Sequence, residues 1–236
     1  MTRLSQDQLQ QLHAYSNYVD VEQPFLFNLQ QLLEDDFLED AKNIWKAVSQ
    51  SDQDAVAISY FTRRYGMFIS MQFYMLTVYD EMWMGKFENL QFGVREEFGR
   101  PSICMFTRSE DWDMIDEDER EQAVHTILLE QCHQIFSQLK KLGGVSVLTH
   151  WENVFGYLLW HYHTLLSSHA TEEEARIYLD FLEGDVVWEG ISEHSRFHTY
   201  TGGQPPSTLI HLPVRKSCCF SKDVPGLLAC GFCPLK

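Results

Sequence analysis

DAVAISYFTRRYGMFISMQFYMLTVYDEM, residues 54–82, is apolar almost all round: Val56, Ile58, Phe61, Phe68, Ile69, Met75 and Leu76 do not keep to one stripe. A helix with one wet side shows polar residues there, so this run predicts a helix packed on several sides, central to the core. Its uncharged part, Met67 to Tyr79, is 13 residues long and contains Ser70, Gln72 and Thr77, with Arg63 and Arg64 before it and Asp80 and Glu81 after it. That falls short of the roughly 18 uncharged apolar residues that a bilayer span requires. It reads as a buried core helix.

On the N-terminal side, Leu4, Leu9 and Leu12, and then Phe25, Leu29, Leu32 and Leu33 after Pro24, recur at helical spacing. On the C-terminal side, Gly85, Gly93 and Gly99 punctuate short β-favouring segments, Gln91 to Val94 and Ser102 to Phe106, which predict a small sheet. Residues 109–121 hold eight acids against one Arg and lead into an apolar stripe of Val124, Ile127, Leu128, Cys132, Ile135 and Leu139. Acids favour the first turn of such a helix, and Gly143 and Gly144 end it. An aromatic helix from about Val145 to Ser168 follows, then a shorter one after Thr171.

The character changes at Thr-Gly-Gly-Gln-Pro-Pro-Ser, residues 201–207. Residues 1–205 thus form an α+β body, predominantly helical with a small sheet, and 206–236 an irregular C-terminal segment.

The chain has 236 residues, 44% hydrophobic and 14% aromatic, which excludes a disordered or low-complexity protein. Lys and Arg number 18 against 34 Asp and Glu, for a formal charge of −16. Such a field repels a phosphate backbone or an anionic lipid surface, so no nucleic acid is expected as partner, and at most peripheral contact with a membrane. MTRLSQDQLQQLH at the start lacks the apolar core of an export signal, so a cytoplasmic protein with reduced thiols is expected.

Four of the six Cys stand near the C-terminus as Cys218-Cys219-x10-Cys230-x2-Cys233. Four thiolates in a stretch too short to build its own core point to a metal that stabilises it. Zinc usually draws on two C-x2-4-C knuckles, which adjacent Cys form poorly. A [2Fe–2S] cluster spreads four thiolates over two irons and tolerates vicinal ligands better. The spacing leans towards the cluster and leaves open a zinc staple, a redox dithiol at Cys230 and Cys233, or structural Cys. Cys104 and Cys132, in an apolar strand and an apolar helix stripe, read as core residues.

The tail, Arg215-Lys-Ser-Cys-Cys219 through Cys230-Gly-Phe-Cys-Pro-Leu-Lys236, closely resembles the C-terminal signature of the FhuF-type ferric siderophore reductases. His150-Trp-Glu-Asn153, which opens the aromatic helix, is similar to a tryptophan and asparagine pair in that family's corresponding helix. The resemblance implies a [2Fe–2S] cluster on Cys218, Cys219, Cys230 and Cys233 and one-electron reduction of siderophore-bound Fe(III). The substrate would be a ferric hydroxamate or citrate–hydroxamate complex. Trp151 and Asn153 are expected near one wall of a cleft beside the tail.

The tail also carries Arg215, Lys216, Lys222 and Lys236 against Asp223 alone. Arg215 and Lys216, just before the first ligand, are expected to attract an anionic chelate and raise the cluster potential. No G-x-G-x-x-G, P-loop or G-x-S-x-G occurs. The electron donor is therefore expected to be external, of ferredoxin or flavin-reductase type. A zinc-stapled binding protein without redox activity, and a cluster-based carrier or sensor, remain the alternatives.

Glu130 and His133 form a single Glu-x-x-His, whereas di-iron bundles use two. His161 and His163 point about 200° apart on a helix and cannot chelate one ion there.

Overall fold

The computed structural model describes residues 4–97 and 99–235; of the tail cations, Lys236 lies outside them. The chain opens with α1 (Gln6–Ala14), whose N-cap Ser5 accepts from the Gln8 backbone N–H while the Gln8 side chain accepts from that of Ser5. Then come β1 (Asn17–Val19) and β2 (Phe27–Asn28). The expected helix after Pro24 is instead β2 and two short 3-10 turns, Gln30–Leu33 and Asp35–Phe37, before α2 (Leu38–Ser49). Phe27 stacks on Phe92 across the strand pair, and that burial overrides the helical spacing.

The central helix α3 (Asp54–Tyr79) is buried on nearly every side, as its composition requires. It stops at Asp80, which takes the left-handed conformation (φ 52°) and turns the chain into β3 (Glu81–Trp83). β4 (Gln91–Glu97) and β5 (Arg100–Thr107) pair antiparallel, and the four-stranded sheet runs β1-β5-β4-β2 with β1 parallel to β5. β6 (Trp112–Met114) pairs with β3 in a second, two-stranded sheet.

The acidic run ends in a 3-10 turn, Glu117–Glu119, ahead of α4 (Arg120–Thr126). A π-helical stretch, Ile127–Gln134, continues α4 into α5 (Ile135–Leu139). Its Gln131 carbonyl accepts from the Tyr65 hydroxyl at 2.8 Å, and its Gln131 side chain pairs with Gln72 in the core. Gly143 and Gly144, both at positive φ, end this arm.

The remaining helices are α6 (Val147–Leu166), α7 (Glu172–Glu183), α8 (Arg196–Thr201) and the one-turn α9 (Pro206–Leu209). The fold is α+β, a helical body with small sheets.

Two features of this frame set up the C-terminal lobe. Gly66 of α3 faces the backbone of α6, where an added Cβ would come within 3.0 Å of the Asn153 carbonyl oxygen, so α3 and α6 cross closely because no side chain separates them. Leu209, Ile210, Val224 and Phe232 of the tail are buried in the same apolar cluster as the body. No helix among the described residues is long and apolar enough to cross a membrane.

Candidate metal centre

The tail is fastened to α6 by one buried acid. Glu152, 1% exposed, lies on the tail side of that helix, and one carboxylate oxygen accepts the Lys216 backbone N–H at 2.8 Å. The other accepts the Ser217 N–H at 3.0 Å and the Ser217 hydroxyl. Arg215, 5% exposed, donates to the Glu152 and Thr149 carbonyls (2.9 and 3.5 Å) and places its Nε 3.7 Å from the Glu152 carboxylate. A buried carboxylate must be paired to be tolerated. Here it fixes the two residues immediately before Cys218.

A second anchor holds the Cys219 backbone. Asn153 donates to the Ser59 and Thr62 hydroxyls (3.2 and 2.8 Å), and the Ser59 hydroxyl donates to the Cys219 carbonyl at 2.9 Å. The chain then turns through Phe220, a non-glycine residue at φ 54°, whose N–H points at Cys218 Sγ (3.3 Å). Ser221 closes the loop between the two cysteine pairs by donating to the Leu228 carbonyl at 2.7 Å. In the Cys230-Gly-Phe-Cys233 turn the Cys233 N–H reaches the Cys230 carbonyl at 3.3 Å.

Cys219 and Cys233 are buried, Cys218 and Cys230 half-buried. Cys219 and Cys230 form a hydrogen-bonded pair. The hydrogen bond from Cys230 pulls the Cys219 thiol down to about 5 against its own burial, aided by the charges of Arg63 and Arg215 and by the Ser221 backbone. Cys230 is pushed up for the complementary reason, as the member that keeps its proton. Burial opposes the charge on Arg63, yet Tyr157, Cys219 and Cys230 together hold that guanidinium more firmly ionised than usual. The sulfur pair therefore sits between two arginines, one from α3 and one from the tail.

Among the described residues no three His, Cys, Asp or Glu side chains converge as a single-ion site would need; the thiols associate as a pair. The donor set nevertheless suits a binuclear cluster, which takes thiolates two to an iron, and the flanking guanidiniums and N–H groups suit its negative charge. Cys218, Cys219, Cys230 and Cys233 would hold it.

Neither a family model nor a curated protein matches the chain. Cys230 opens onto a cavity of about 140 Å³ whose walls include Arg63, Asn153, Tyr157, Trp160 and Arg215. Trp160, 45% exposed, lies beside Phe232, with ring centroids 6.3 Å apart.

Asn153 and Arg215 thus reach the cysteine lobe. Trp151 does not share that wall, because two residues along a helix turn the side chain about 200°. Trp151 instead lines a separate hollow together with Lys216. Arg215 acts on the sulfurs from inside the wall rather than from the surface, and Lys216 is exposed.

Arg63, Ser59 and Glu152 were not anticipated as part of this centre. A pair of arginines in an otherwise apolar helix was the available signal for the first. Cys104 and Cys132 are fully buried away from the tail, as their apolar settings suggested. Burial pushes the Cys104 thiol up to about 12.

Proposed function

We propose that the tail holds a [2Fe–2S] cluster on Cys218, Cys219, Cys230 and Cys233, and that the chain passes single electrons to Fe(III) bound in a siderophore, releasing Fe(II). The resemblance of the tail to the FhuF-type reductases suggests the reaction. The observation that carries it is the Cys219–Cys230 pair, flanked by Arg63 and Arg215, at the wall of a cavity. When bound, such a cluster takes up and gives back one electron at a time.

The chain's own residues have modest tasks, since outer-sphere transfer needs no acid, base or nucleophile. Arg63 and Arg215 offset thiolate charge and favour the reduced state, which raises the potential. Glu152 and Ser59 hold the backbone on either side of the vicinal cysteines, so the ligands are presented from a fixed frame.

A hollow of about 140 Å³ is below the ~300–1,000 Å³ of a drug-sized pocket, so it admits an edge of a ferric hydroxamate or citrate–hydroxamate complex, not its whole body. Trp160 and Tyr157 would meet that edge. Hard oxygen donors hold Fe(III) far more tightly than Fe(II), so a single electron loosens the metal and leaves the chelator whole.

The electron comes from an external donor of ferredoxin or flavin-reductase type, and a reducing compartment, the cytoplasm, suits both the thiols and the product. Stopped-flow mixing of prereduced protein with a ferric hydroxamate, in the presence of a ferrous trap, tests the reading. We expect reoxidation of the protein matched by trapped Fe(II). Reoxidation no faster than with a ferric chelate too large for the cavity, or no Fe(II), would overturn it.

A further inference from the structure

A second hollow, of about 220 Å³, lies on the other side of α6 from the Cys230 cavity and has a different character. Trp151, Phe155, Tyr200 and Leu148 give it an aromatic and aliphatic lining, and Arg196 and Lys216 stand in its wall. Three lining residues carry buried hydrogen-bond donors with no partner: Trp151 Nε1, Arg196 Nε and the Tyr200 hydroxyl. An unpaired buried donor is costly, so native structures seldom leave even one without cause.

None of the three is open to solvent, so what marks the hollow is its uncompensated charge beside an apolar lining. No acid among the described residues forms an ion pair with Arg196 or Lys216, although the chain as a whole carries −16. The one carboxylate in the lining, Glu152, is already committed to Lys216 N–H, Ser217 and Arg215.

The Arg196 guanidinium lies 5.9 Å from the Trp151 ring centroid, so the cation and the flat apolar surface are adjacent. His194, at the rim, is 3.2 Å from Asp185 and is turned to that partner.

We infer that this hollow binds a small aromatic carboxylate. Its anionic oxygens would be received by Arg196, with Lys216 at the mouth, and its ring would lie against Phe155 and Trp151. A guanidinium suits a carboxylate because its fork matches two oxygens at once. The apolar lining is what distinguishes this ligand from a plain inorganic anion. The site goes beyond the proposed electron transfer and stands whether or not the tail holds a metal.

The test is titration of the full ¹⁵N-labelled chain with benzoate, benzamide and inorganic phosphate, following the six indole N–H signals; Trp151→Phe assigns the relevant one. We expect benzoate to move the Trp151 signal saturably, with benzamide and phosphate each binding ~10-fold or more weakly, the scale of one lost charged contact. Arg196→Gln should weaken benzoate by a similar factor, and the exposed Lys216→Gln by a smaller one. Dispersion of the other indole signals reports whether each variant is folded. No shift of the Trp151 signal, equal binding of phosphate or benzamide, or unchanged affinity in folded Arg196→Gln would overturn the assignment.

Discussion

Arg63 and Arg64 are neighbours on one helix, each stands beside cysteine, and the outcomes are opposite. Arg64 places Nη2 3.9 Å from Cys104 Sγ but also 2.5 Å from Glu97, which itself accepts from Ser16 and lies 3.4 Å from the same sulfur. The acid offsets the cation, burial decides, and the Cys104 thiol is pushed up to about 12. Arg63 has no such acid. Its partners are Tyr157 and the Cys219–Cys230 pair; the hydrogen bond from Cys230 holds Cys219 down at about 5, and the Arg63 charge adds to it. A cation can add to a thiol's activation where no carboxylate offsets it.

The largest expected difference between the two regions is in cofactor content. Cys219→Ser or Cys230→Ser should remove most of the iron and sulfide while the far-UV spectrum of the helical body survives, because that body has its own core. Cys104→Ser should retain both. Iron and acid-labile sulfide assays on the three variants read this directly, and loss of iron in Cys104→Ser alone would reverse the assignment.

Next is stability. Arg64→Gln strands Glu97 against the sheet and should cost about 3–5 kcal/mol in urea unfolding, as breaking a largely buried pair does. Arg63→Gln should cost distinctly less, and its signature should be a lower reduction potential of the loaded protein. Equal destabilisation by the two would dissolve the contrast.

How much of this was legible in the sequence differs by region. The central helix, the 91–107 strand pair, the glycine stop at 143–144 and the aromatic helix follow from composition and periodicity, because burial on all sides and chain reversal leave local signatures. The stretch after Pro24 misled, since Phe25, Leu29, Leu32 and Leu33 stand at helical spacing although the chain there forms a short strand and a 3-10 turn. The four tail cysteines were visible as a spacing. Their electrostatic partners were not: Arg63 lies 156 residues before Cys219, and only the close crossing of α3 and α6 at Gly66 brings such distant residues to one lobe. Trp151 and Asn153 shared a motif yet serve opposite faces of α6.

A smaller effect sharpens the contrast at the level of the thiols. In metal-free protein at pH 6, iodoacetamide should label Cys219 well before Cys104, since the thiolate is the nucleophile. Peptide mapping of briefly alkylated protein checks the order, and faster labelling of Cys104 would contradict it.

The body should show its own pH limit. Burial holds His150 and His161 down at about 4 from 6.5. Their folded pKa is depressed, so the neutral rings support the fold above about pH 6.5, and that support is lost progressively as pH falls towards 4. Each ring accounts for on the order of 3 kcal/mol at the low end. Urea midpoints between pH 7 and 4 should fall accordingly, and His161→Gln should flatten part of the slope.

The most direct test of the central claim is the metal and sulfide content of the wild-type chain purified without air, together with its paramagnetic resonance before and after reduction. The account predicts a reddish-brown protein with about two irons and two sulfides per chain, silent when oxidised and showing a one-electron signal when reduced. A colourless protein with one zinc and no sulfide would contradict it.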